Sequence, residues 1–184
     1  MHSILLNIAL DHEKLTYYQV MNYIVIFLFK FFKKNVEKTY KFLSFLAWGF
    51  LTSRFHGRLP GLEESLYILD KYIRSFKPEL WMKFTSNHIT SLNFSVSLII
   101  TVFSIYSKNK KGPGCSDPES PANILNEKVF EFCTSVWDMV IGGGSIYMIK
   151  TLLKLLEVNE HLITKELDGD QLLVGIGEME RSPF

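Results

Sequence analysis

The chain has 184 residues, enough for one domain with a substantial core and too few for a comfortable second one. Its 20 basic and 19 acidic side chains leave a net charge of +1, so no long-range field recruits nucleic acid, which is not expected as a partner. Hydrophobic residues make up 47%, including 15 Phe and 8 Tyr, and some apolar surface is expected to stay uncovered.

Helical periodicity then dominates from the first residue onward. Residues 1–11, 21–32 and 36–48 read as three successive helices. Over 62–76, Leu62, Leu66, Leu69, Ile73 and Phe76 fall on one face. Pro60 and Gly61 precede this helix, Glu63 and Glu64 occupy its first turn, Lys71 and Arg74 lie near its end, and Pro78 limits it. Helices over 79–87 and 94–107 follow. Residues 108–126, containing KNKKGPGCSDPESP, have the lysines, glycines and prolines of a mobile loop. A helix over 127–140 leads to Gly142, Gly143 and Gly144, which read as a turn between helices. They are not a phosphate loop, because no G-K-[ST] follows. The last helix spans 146–158, with Ser145 as N-cap and Ile146, Ile149, Leu152, Leu153 and Leu156 as its apolar stripe. No strand rhythm and no internal repeat appear, so the fold class is an all-α, single-domain helical array.

Several chemistries find no support. The two cysteines, Cys115 and Cys133, form neither a C-x-x-C pair nor a disulfide framework, which fits a reducing, cytoplasmic setting. The histidines show no H-E-x-x-H spacing, the DGD at Asp168 lacks the other ligands of a calcium loop, and neither metal nor cofactor is expected. Residues 23–29 and 84–107 are nearly free of charge, but the first run is short and the second is rich in Ser, Thr and Asn, which argues against membrane spans. Residues 1–10 lack the basic start and cleavage site of a signal peptide. Lys30, Lys33, Lys34, Lys108, Lys110 and Lys111 read as ordinary solvated surface rather than as contacts to anionic lipid.

TYYQVMN at 16–22 resembles the Y-x-Q-x-M-N stretch of the TBC-domain Rab GTPase-activating proteins. RLPGLEESLYILDKYI at 58–73 is similar to the leucine-rich helix of that family, and KPELWMKFTSNHIT at 77–90 to the segment that leads to its buried helix. IITVFS at 99–104 and VFEFCTSVWDMV at 129–140 continue the register. The resemblance implies a TBC domain over 1–166, with an inserted loop at 108–126 and a tail at 167–184 whose end is disordered. Thr16 and Val20 replace the family's two glycines, Leu98 its tryptophan, and Ser135 its arginine before W-D. A β-branched residue at 16 or 20 is expected to restrict the backbone beside the glutamine.

By that resemblance Gln19 is the catalytic glutamine inserted beside the nucleotide of a bound Rab, where its carboxamide orients the attacking water. Tyr17 and Asn22 are its Rab-binding neighbours. The family's catalytic arginine lies upstream of this glutamine, yet no arginine precedes Gln19 here, so the expectation is the C-terminal part of a TBC domain whose front end is missing. The implied function is a Rab-binding or degenerate module in vesicle trafficking, cytoplasmic or peripheral on endomembranes through the GTPase, with stand-alone GTPase activation unexpected. The alternative is a helical protein-protein interaction or membrane-associated subunit. Trp137 is expected to fill the core, and Asp138 to hold a nearby backbone or basic group. Loss of a front end would uncover α-helical surface around Tyr23, Ile26, Phe27 and Phe31, and self-association is the expected result.

Overall fold

The computed structural model describes residues 2–12, 18–51, 59–107 and 121–160. Among them lie eight α-helices and no strand: α1 (His2–Asp11), α2 (Met21–Phe31), α3 (Val36–Leu46), α4 (Pro60–Phe76), α5 (Pro78–Ser86), α6 (Ser91–Thr101), α7 (Pro121–Gly143) and α8 (Ile146–Val158). A π-helical turn, Ala47–Leu51, continues α3, and a 3₁₀ turn, Ser104–Ser107, follows α6. The segments 108–120 and 161–184 fall outside the described residues, and with them most of the expected loop and the whole tail. The helix expected from 127 begins six residues earlier, because Pro121 stands at its first position, where a missing N–H costs nothing.

The centre of the fold is α6. Phe94, Leu98, Ile99 and Ile100 are buried together with Ser91, Ser95 and Thr101, so this helix is enclosed on nearly all sides. That accounts for the uncharged tract as a core helix, and among the described residues no helix is long and apolar enough to cross a membrane. Its buried hydroxyls return to the preceding turn, Ser95 Oγ donating to Ser91 O at 2.7 Å and Thr101 Oγ1 to Ser97 O at 2.7 Å. α4 packs along it through Leu62, Ser65, Leu69 and Ile73, and the Asp70 carboxylate accepts from Ser91 N at 3.2 Å. Phe76, expected on that face, is exposed instead and stacks on Tyr72 at 4.3 Å. On α8 the buried stripe is Met148, Ile149, Leu152, Leu155 and Leu156, while Ile146 is exposed and Ser145 makes no side-chain cap bond.

α2 lies between α1, α3, α6 and the 3₁₀ turn, burying Met21, Ile24, Val25, Phe27 and Leu28. Phe27, expected on an uncovered face, is covered by α7: its ring stacks on Trp137 at 5.7 Å and tilts against Phe130 at 5.4 Å. Ile26 and Phe31 are exposed as expected. α1 is fastened to α3 by Tyr40, whose hydroxyl donates to Asp11, and by a 3.0 Å bond between His12 Nε2 and Ser44 Oγ.

Three helices end on the same device with a residue that dislikes it. After α2, Lys34 N bonds Phe29 O and Lys33 N bonds Lys30 O, with Lys33 left-handed at φ 50°. After α5, Ile89 N bonds Phe84 O and His88 N bonds Thr85 O, with His88 at φ 56°. After α6, Phe103 N bonds Leu98 O and Val102 N bonds Ile99 O, with Val102 at φ 49°. These are the paired bonds of a Schellman ending, normally closed by glycine. Lys33 and His88 are exposed, so each change to glycine is expected to stabilise the fold by about 1 kcal/mol, seen as a rise of roughly 2–4 °C in melting temperature. A fall in both melts would show that these side chains contribute more than their backbone costs.

Candidate functional site

Gln19 sits in the short turn that feeds α2. Met21 N bonds Tyr18 O at 2.9 Å, Asn22 N bonds Gln19 O at 3.2 Å and Tyr23 N bonds Val20 O at 3.1 Å, so the chain winds up before the regular helix starts. Val20 has φ −64° and ψ −21°, a helical conformation that a β-branched residue adopts without strain. The expected restriction at position 20 therefore has no counterpart in the backbone, and Thr16 lies outside the described residues.

Gln19 is exposed, and its carboxamide makes no hydrogen bond among the described residues. Its base is nevertheless fixed. Tyr18 and Val20 on either side pack against the core, and Met21, Ile24 and Val25 bury the following turns. Asn22, one helical turn on, is half-buried. Tyr17 lies outside the described residues, so the site is described through Tyr18, Gln19 and Asn22. The arrangement is an exposed amide on a rigid mount at the start of a helix. An amide of this kind can donate to one group and accept from another at once.

Arg74 is the one arginine among the described residues, exposed in the last turn of α4. No group of three or more His, Cys, Asp or Glu able to hold a metal occurs among the described residues. Cys133 is buried, its thiol donating to Phe103 O at 3.3 Å, and burial pushes its pKa up to about 12, so it stays a protonated, unreactive thiol at neutral pH. Gly142 and Gly143 belong to the last turn of α7, and Gly144, at φ 82°, closes it by bonding Val140 O at 2.9 Å. That is a helix stop of the kind expected.

A family model for the Rab-GTPase-TBC domain matches residues 1–109. The chain belongs to the TBC-domain family. Neither the curated proteins nor the solved structures yield a match. The matched part of the TBC domain runs from α1 through the 3₁₀ turn and includes Gln19, and α7 and α8 pack onto it. Trp137 on α7 joins the two parts: its ring is buried and its Nε1–H donates to Ser104 Oγ at 3.0 Å. Asp138, expected to hold a nearby backbone or basic group, has no such partner among the described residues; it is exposed at the edge of a groove beside Phe31 and Ile141. Sequence reasoning passed over Ser104, whose only signal was its place in the IITVFS segment.

Proposed function

We propose that this chain is a Rab-binding module that presents Gln19 to the nucleotide face of a GTP-loaded Rab. The observation that carries the reading is the exposure of the Gln19 carboxamide at the head of α2, within a segment that resembles the family's glutamine stretch. Hydrolysis of GTP needs a water held in line with the γ-phosphate and neutralisation of the charge that develops on the transferred oxygens. A carboxamide serves the first need. The second falls to a guanidinium worth roughly 10³ to 10⁵ in rate, and no arginine precedes Gln19 in this sequence. Binding without efficient activation is therefore the proposed behaviour of the 184-residue chain. Its place is the cytoplasm, peripheral to endomembranes through the GTPase, in vesicle trafficking.

A panel of Rabs, each loaded with GDP or a non-hydrolysable GTP analogue, tests this. At least one is expected to bind preferentially in the GTP form, with single-turnover hydrolysis raised less than about tenfold. Equal binding of both nucleotide forms across the panel would reject the Rab reading. Stimulation of about a hundredfold that disappears in Gln19→Ala would instead show a working activator.

A further inference from the structure

α3 has two faces. Thr39, Leu43, Leu46 and, in the following turn, Ala47 are buried on the core. On the other side stand Lys38, Lys41, Phe42 and Phe45, at spacings i, i+3, i+4 and i+7, which bring them onto one face, and Trp48 follows in the π-helical turn beside Phe45 and Leu46. Trp48 is 78% exposed, Phe45 69% and Phe31 44%. Phe31, Phe32, Phe42 and Phe45 form a chain of ring contacts between 5.1 and 6.4 Å, running from the end of α2 along this face. Beside it, a groove of about 560 Å³ opens between Trp48 and Ile141. Large apolar side chains exposed together mark a contact surface rather than scatter.

The charge beside these rings is equally uneven. Between residues 30 and 41 lie Lys30, Lys33, Lys34, Lys38 and Lys41 with Glu37 as the lone acid, leaving +4 in twelve residues of a chain whose net charge is +1. Glu37 is engaged by Lys41 at 2.6 Å, and Lys30 rests over the Phe130 ring at 4.4 Å. Lys33, Lys34 and Lys38 are exposed and have no ion-pair partner among the described residues. Read singly, these lysines are ordinary surface. Next to exposed Trp and Phe they have the composition of a helix that lies in a bilayer interface, aromatic rings at the headgroup level and ammonium groups on anionic lipid.

We propose that the α2–α3 turn and the outer face of α3 dock directly on anionic lipid bilayers. The proposal does not depend on the Rab reading, because it rests on the lysines and rings of this face and not on Gln19. Charge decides between occupants. A second copy would bring the same lysines face to face, whereas an anionic surface neutralises them.

The full chain should be mixed with vesicles of phosphatidylcholine alone or containing about one third phosphatidylserine. Co-sedimentation is expected only with the anionic vesicles, weakened at about 0.5 M salt, and accompanied by a shift of tryptophan emission to shorter wavelength. Trp137 is buried and Trp81 half-buried, so Trp48→Phe should abolish most of that shift. Lys33→Glu with Lys38→Glu should lower partitioning at least about tenfold, and so should Phe45→Ala with Trp48→Ala, all with melting temperatures near that of the parent chain. Equal binding to neutral vesicles, or binding untouched by both double variants, would overturn the proposal. So would an absence of vesicle binding in which Phe45→Ala with Trp48→Ala turns a dimer into a monomer, since the face would then cover a second copy.

Discussion

Trp137→Ala is expected to remove about 3–5 kcal/mol of stability, a large share of the roughly 5–15 kcal/mol that holds a domain together. The ring is buried, stacked on Phe27 and bonded to Ser104, and it joins α7 to α2 and the 3₁₀ turn. Two contributions are separable. Trp137→Phe keeps most of the ring and gives up the Nε1–H bond, a loss of about 1 kcal/mol for the bond plus a smaller term for the lost volume. Urea denaturation with an unchanged slope measures both variants. If phenylalanine were as damaging as alanine, the indole N–H rather than the filled volume would be the main contribution.

Phe27→Ala should cost about 3–5 kcal/mol, while Phe31→Ala, one turn along the same helix, should stay within about 1 kcal/mol. The two rings are 6.3 Å apart, yet Phe27 is 1% exposed and Phe31 44%. An α2 face left bare would make the two changes similar and mild. The double variant Phe27→Ala with Trp137→Ala should show a coupling of about 0.5–1.5 kcal/mol from the lost ring stack. Additive losses would mean that the two rings merely share a neighbourhood.

Helix positions were legible because apolar spacing and the Pro, Gly and Glu signals around residues 60–78 agree with one another. What escaped the sequence was tertiary. Covering of Phe27 depends on α7, more than a hundred residues away, and no local pattern announces it. The start of α6 was written in the chain, since Thr90 and Asn93 bond each other's backbone as a capping box, but an asparagine in place of the usual Glu or Gln hid it. The expected single helix over 94–107 breaks at Val102 and Phe103, both left-handed, against the preference of a β-branched residue. For the candidate site, the motif identified Gln19, and the structure supplied its exposure and its rigid mount. The lysine and aromatic face of α3 was present as spacing, but spacing alone does not tell which side of a helix is left bare.

The break at Val102 leaves that position frustrated. Its backbone, at φ 49°, would be relieved by glycine by about 1–2 kcal/mol. Its side chain is fully buried, and removing it would forfeit about 1.5–3 kcal/mol of burial and leave a void. Asparagine tolerates the left-handed region but would bring a buried amide in need of partners, at about 1–3 kcal/mol. Backbone and core thus make opposite demands of one residue, and no natural side chain meets both. The corner between α6 and the 3₁₀ turn is a compromise that substitution at Val102 alone will not improve.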